Sequence, residues 1–202
     1  MKSRDKIGLF GGSFDPIHNG HLILAQTAME YIGLQHVYFI PTAFPPHKRT
    51  AVIAGFEDRL KMVDMAISDN PRFEISLLEK KNSVSYTWES VMHFRDKGFD
   101  RKQIHLLIGG DSLREITRWR RPDLIFENST IVAMQRPEYS LDCELPRESA
   151  VIVFSEGANG ISSTLVRRTV EEGGSIGHLV PDQVERYISG KSLYLTGGEE
   201  TK

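Results

Sequence analysis

Cysteine is nearly absent from this chain. Cys143 is the only one, which excludes an internal disulfide and leaves no cysteine-based zinc cluster. Long apolar runs are missing too: no stretch approaches the roughly 18 residues of a membrane-spanning helix. MKSRDKIGLF enters a strand without the long apolar segment of a signal peptide, so a cytoplasmic protein is expected. Neither sign of charge is in excess. A net charge of −2 gives no general pull toward nucleic acid or membranes, so neither is expected as a partner and any anion site must be local. Internal repeats and low-complexity segments are also lacking. What is there is an ordinary globular composition over 202 residues, long enough for one domain that buries a two-sided sheet.

The most informative stretch is IGLFGGSFDPIHNGHL, from Ile7 to Leu22. Ile7 to Phe10 is a short apolar strand, Gly11-Gly12 break it, Asp15-Pro16 turns the chain, and HLILAQTAMEYI reads as an apolar helix from Gly20 to Ile32. A strand, a glycine turn and a helix start in succession make a phosphate site, because the first N–H groups of a helix lack partners. His18 and His21 flank that helix start three residues apart, so both imidazoles can face one anion. A metal pair is the alternative, but the usual zinc pair is spaced four apart around a Glu, whereas Asn19 and Gly20 intervene here. No Gly-Lys-Ser/Thr follows the glycines, so this is no Walker loop.

Downstream, His36 to Ile40 reads as a second strand, giving a parallel βαβ unit with its ligand at the strands' carboxyl ends. The loop TAFPPHK, Thr42 to Lys48, follows at that end and presents His47 and Lys48, either to a ligand or as a solvated basic turn. Phe56 to Ser68 has the spacing of a packing helix, with Phe56, Leu60, Val63 and Ile67 on one side. Phe73 to Leu77 reads as a strand. In SVSYTWESV, Ser85 or Thr87 is placed to cap a helix running to about Lys97.

Ile104 to Ile108 is strongly strand-like and leads into Gly109-Gly110-Asp111. Asp111 is positioned to accept from ribose hydroxyls, to cap the following helix, or both. A short helix over Asp123 to Asn128, a strand over Thr130 to Met134 and a last core strand over Ala150 to Phe154 follow. Arg136 leaves the Thr130–Met134 strand where it can grip a phosphate bidentately, or lie on the surface. ISSTLVR, Ile161 to Arg167, is a second hydroxyl-rich helix start. Ser163 reads as its N-cap, while hydroxyls, N–H groups and the Arg167 guanidinium together make another triphosphate cradle. Pro181 opens a last helix, with Val184, Tyr187 and Ile188 on one face.

The opening stretch resembles the (T/S)xxH…HxGH signature of the nucleotidyltransferase superfamily, in the GG(T/S)FDPxHxGHL form of nicotinate mononucleotide adenylyltransferases. Ser13 stands where Thr is commoner, and Ile17 where Pro is common. PPHK, SYT, LIGGDSL with Trp119, and ISSTxxR are similar to further segments of that family, in the same order. Asn is often found where Thr42 stands, and an aromatic residue where Arg120 stands. The resemblance implies a Rossmann-like α/β fold, a parallel sheet of about five or six strands with helices on both faces. It also implies one domain over 1–202, with a helical part from about 160 to 195 packed on it and a frayed end from Gly197 to Lys202.

The implied reaction joins ATP and nicotinate mononucleotide into nicotinic acid adenine dinucleotide and pyrophosphate. The resemblance makes His18 and His21 catalytic donors to the ATP phosphates. It assigns ATP binding to Gly11, Gly12, Ser13, Phe14, Gly109, Asp111, Ile161, Ser163 and Arg167. His47, Lys48 and Arg136 would contact the acceptor near its phosphate, the Thr87 backbone N–H would receive the nicotinate carboxylate, and Trp119 would stack on the pyridine ring. Mg2+ is expected to bridge phosphate oxygens, with few or no protein ligands. ATP and nicotinate mononucleotide are the expected partners of a monomer or homo-oligomer. Transfer to phosphopantetheine or to nicotinamide mononucleotide is the enzymatic alternative, and a nucleotide sensor without turnover the non-enzymatic one.

Overall fold

A computed structural model describes residues 5–43, 53–78, 86–134, 145–146, 149–154 and 160–195. Six strands form one sheet: β1 (Ile7–Gly12), β2 (His36–Pro41), β3 (Phe73–Ile75), β4 (Ile104–Gly109), β5 (Thr130–Met134) and β6 (Val151–Phe154). Every pairing is parallel, in the order β3-β2-β1-β4-β5-β6. This is the expected doubly wound arrangement, whose order reverses direction between β1 and β4. Among the described residues seven α-helices complete it: α1 (Asn19–Ile32), α2 (Phe56–Ile67), α3 (Thr87–Asp96), α4 (Gly110–Glu115), α5 (Pro122–Asn128), α6 (Ser163–Glu171) and α7 (Asp182–Gly190).

Alternation along the strands sends side chains into two cores. Phe10, Val37, Phe39, Leu107 and Val132 pack with α1, α2, α6 and α7, while Leu9, Ile40, Leu106, Ile108 and Ile131 pack with α3, α4 and α5. Helices on both sides explain why strands such as IHLLIG and TIVAM are apolar almost throughout. α1 ends at Gly33, whose φ of +74° is the left-handed conformation that glycine adopts without steric conflict.

Several local expectations are corrected. β3 stops at Ile75. The last core strand, β6, starts at Val151 and lies at the sheet edge, with Phe154 in the core and Val153 40% exposed. Tyr86 occupies the cap of α3, so Thr87 is its first helical residue. Gly109 occupies the cap of α4, so Asp111 lies within the first turn, where its charge meets the positive end of the helix. Ser162, not Ser163, caps α6, accepting from the Leu165 N–H at 3.1 Å.

Candidate functional site

The β1–β4 ladder runs only from Ile7↔Ile104 to Leu9↔Leu106, whereas β1 and β2 pair over six residues as far as Gly12↔Pro41. The carboxyl ends of β1 and β4 therefore part, and a crevice opens at the point where the strand order reverses. Gly11 and Gly109 stand on its two sides. A methyl group added to either would meet nothing within 4 Å, so the space above both strand ends is open for a ligand. Gly12 differs: a Cβ there would lie 3.2 Å from the Phe14 ring.

The turn after β1 carries the histidines. Phe14 has a φ of +46°, uncommon for an aromatic residue, and its ring is buried against Phe10 and Phe39. It also meets the His21 ring edge-to-face at 5.1 Å, so the Phe14 side chain builds the floor of the site. His18 is 6% exposed and stacks on His21 with ring centroids 3.6 Å apart. The His18 backbone N–H donates to His21 Nδ1 at 3.2 Å, which assigns a neutral His21 ring its Nε2–H tautomer and makes Nε2 a donor. The start of α1 is less open than its sequence implies. The Asn19 N–H donates to the Leu179 carbonyl and the His21 N–H to that of His18.

The second hydroxyl-rich helix start docks on this turn. The Ser163 hydroxyl donates to the Pro16 carbonyl at 2.9 Å, and Arg167 Nη1 donates to the Asp15 carbonyl at 2.7 Å. Ile161 is half-buried against the core on this side of the sheet. Two segments about 150 residues apart in sequence thus share one rim of the crevice.

The β4 side supplies a second wall. The Asp111 side chain is exposed, with Arg114 Nη2 3.9 Å from its carboxylate. Trp119 is half-buried against the α3–α5 core. Its neighbour Arg120 lies 4.9 Å over the Tyr86 ring, immediately before Thr87, so this cation–π contact joins the Trp119 segment to the start of α3. His47, Lys48, Arg136 and Ser85 lie outside the described residues, as does 197–202. No group of three His, Cys, Asp or Glu side chains converges as a metal site among the described residues.

Residues 9–169 match the cytidylyltransferase-like family. A Thermus thermophilus protein described as "Probable nicotinate-nucleotide adenylyltransferase" is 40% identical over 190 residues, covering 94% of this chain and 99% of that one. Proteins of the same description from Dehalococcoides mccartyi and Geobacillus thermodenitrificans are 38% and 36% identical, each over 94% of this chain and over 97% and 86% of theirs. The chain belongs to the nicotinate-nucleotide adenylyltransferase family. It is accordingly a nucleotidyltransferase of NAD biosynthesis. The family fold is equally plain. Plasmodium falciparum nicotinic acid mononucleotide adenylyltransferase complexed with NaAD superposes with a TM-score of 0.77 at 16% identity, covering 95% of this chain and 98% of that one.

Two buried charges of this adenylyltransferase-family site escape a reading by pattern. Asp15 is 1% exposed and accepts from the backbone N–H groups of Ile53 and Ala54 at 2.8 and 3.1 Å. Arg59, also 1% exposed, donates to the carbonyls of Ser13, Thr42, Ala43 and Ala54, so α2 holds the turn after β1 against the end of β2. The FDP tripeptide was a signal for Asp15. Arg59 sits in a charged helical string that looks solvated, and nothing in the spacing marks it.

Proposed function

We infer that this chain transfers the adenylyl group of ATP to nicotinate mononucleotide, releasing pyrophosphate. The observation that carries the reading is the docking of Ser163 and Arg167 onto the turn that presents His18 and His21, at the strand-order reversal. Two anion-binding helix starts on one crevice suit one triphosphate.

The acceptor's phosphate oxygen is already anionic and attacks the α-phosphorus in line, so no base is needed. The bond to the leaving pyrophosphate breaks as the new P–O bond forms. The protein must hold two polyanions together and stabilise the charge that builds on the α-phosphate and the leaving group. His21 Nε2–H donates to the α-phosphate, and His18 donates to a neighbouring phosphate oxygen. Arg167 Nη1 donates to the Asp15 carbonyl and Nη2 to the Thr164 hydroxyl at 3.4 Å, and its other N–H groups serve the phosphates. Ser13, the Gly12 backbone and the open faces of Gly11 and Gly109 admit the nucleotide, and Asp111 accepts from its ribose.

Thr87 and Trp119 receive the nicotinate ring, while His47, Lys48 and Arg136 hold the acceptor's phosphate. Mg2+ would accompany ATP and neutralise part of the phosphate charge.

Pyrophosphate release from ATP tests this directly, with nicotinate mononucleotide, nicotinamide mononucleotide and phosphopantetheine offered in turn. Release is fastest with the first. A faster rate with either other acceptor replaces the assigned substrate. ATP binding without release from any of them makes the chain a sensor.

A further inference from the structure

Tyr194 ends the chain reversal that follows α7 and packs into the core beside Val184 and Ile188. After α7, Leu193 N–H bonds back to the Ile188 carbonyl, and both Ser192 (φ +51°) and Tyr194 (φ +66°) adopt the left-handed conformation. Non-glycine residues held there cost about 1 kcal/mol or more each, and such strain persists where the surroundings impose it. The reversal buries Tyr194 to 7% exposure and brings its hydroxyl 2.8 Å from Asp15 Oδ1. Burial first, and the Asp15 charge second, push the phenol well above the ordinary tyrosine range, so it remains a donor throughout the working pH range.

Asp15 thereby gathers three segments. Oδ1 accepts from Tyr194 and from the Ala54 N–H. Oδ2 accepts from the Ile53 N–H and lies 3.8 Å from Arg167 Nη1, too far for a hydrogen bond. The carboxylate is therefore held short of a full ion pair with the guanidinium that faces the crevice.

We propose that Tyr194 is a positioning residue for ATP, whose hydroxyl restrains Asp15 from closing on Arg167 and so leaves the guanidinium for the phosphates. This rests on the functional reading above. Without the hydroxyl, Oδ1 keeps only the longer bond from the Ala54 N–H, the carboxylate is freer to turn toward Arg167, and the 3.8 Å gap narrows at the expense of the nucleotide contact.

A second tyrosine–aspartate bond of the same length supplies the control. Tyr187 of α7 donates to Asp58 of α2 at 2.8 Å, without touching the turn after β1. Calorimetric titration with Mg·ATP, beside steady-state kinetics, compares Tyr194→Phe with Tyr187→Phe. Each substitution removes one hydroxyl and a similar, small increment of stability. Tyr194→Phe raises both the Kd and the KM for ATP about tenfold with KM for nicotinate mononucleotide unchanged, the effect of weakening one charge-assisted contact. Tyr187→Phe changes neither. An ATP Kd within twofold of wild type in Tyr194→Phe, or an equal loss in Tyr187→Phe, overturns the proposal. Wild-type protein that binds Mg·ATP but turns over no nicotinate mononucleotide defeats the functional reading alone, since the Kd comparison still decides the role of Tyr194. Wild type that binds no ATP removes both.

Discussion

Ser163 donates its hydroxyl proton to the Pro16 carbonyl across 2.9 Å, so the second hydroxyl-rich helix start is bolted to the first. That proton is engaged, and in the proposed reaction the part of Ser163 left to serve a phosphate is its backbone N–H at the start of α6. Ser163→Ala is expected to lower stability by about 1 kcal/mol, the worth of one hydrogen bond. KM for ATP changes less than about threefold, because the N–H remains. Urea unfolding and ATP-dependent initial rates check the two halves separately.

His21 is held by the Phe14 ring on one side and the His18 ring on another, with its tautomer assigned by the His18 N–H. A donor fixed in this way contributes to the transition state without reorganising. Loss of such a donor costs about 3 kcal/mol of barrier, so His21→Ala lowers kcat about a hundredfold or more. Pre-steady-state pyrophosphate release at saturating substrates measures it.

Gly109 has φ −72° and ψ 156°, a conformation open to any residue, and a Cβ there meets no protein atom within 4 Å. Gly109→Ala therefore leaves the folded protein at least as stable, while its methyl group occupies ligand space. Thermal unfolding is expected to stay unchanged or rise slightly, and the KM for ATP to increase several-fold.

The contrast between Gly109 and Arg59 shows what was legible in advance. Strand and glycines at Ile104 to Gly110 follow a continuous apolar run and a turn signal, and the structure keeps the strand and moves the cap from Asp111 to Gly109. The opening turn and the ISST segment were legible because each carries a cluster of special residues within a few positions. Arg59 and Tyr194 were not. Each acts through long-range contacts, Arg59 with the carbonyls of Ser13, Thr42 and Ala43 and Tyr194 with Asp15, and neighbours in sequence carry no trace of them. The caps were misassigned by one or two residues for a related reason. Ser162 and Ser163 are equally good caps in isolation, and docking against Pro16 decides between them.

His105 of β4 is 4% exposed, and its pKa lies below the ordinary 6.5, chiefly because burial disfavours the imidazolium, with the Lys6 charge acting in the same direction. The unfolded chain then takes up a proton more readily than the folded one. Stability contributed by neutral His105 is complete above about pH 6.5 and is lost as the pH falls below it toward the folded value. The urea midpoint is expected to drop between pH 7.5 and 5.5, and to drop less in His105→Gln.

The central claim is that one triphosphate lies under both helix starts, and a crystal structure with a non-hydrolysable ATP analogue tests it most directly. The account predicts phosphate oxygens within about 3 Å of both His21 Nε2 and an Arg167 guanidinium nitrogen, with the ribose at Asp111. A triphosphate that reaches one of these and lies away from the other, or a nucleotide bound elsewhere than the β1–β4 crevice, contradicts it.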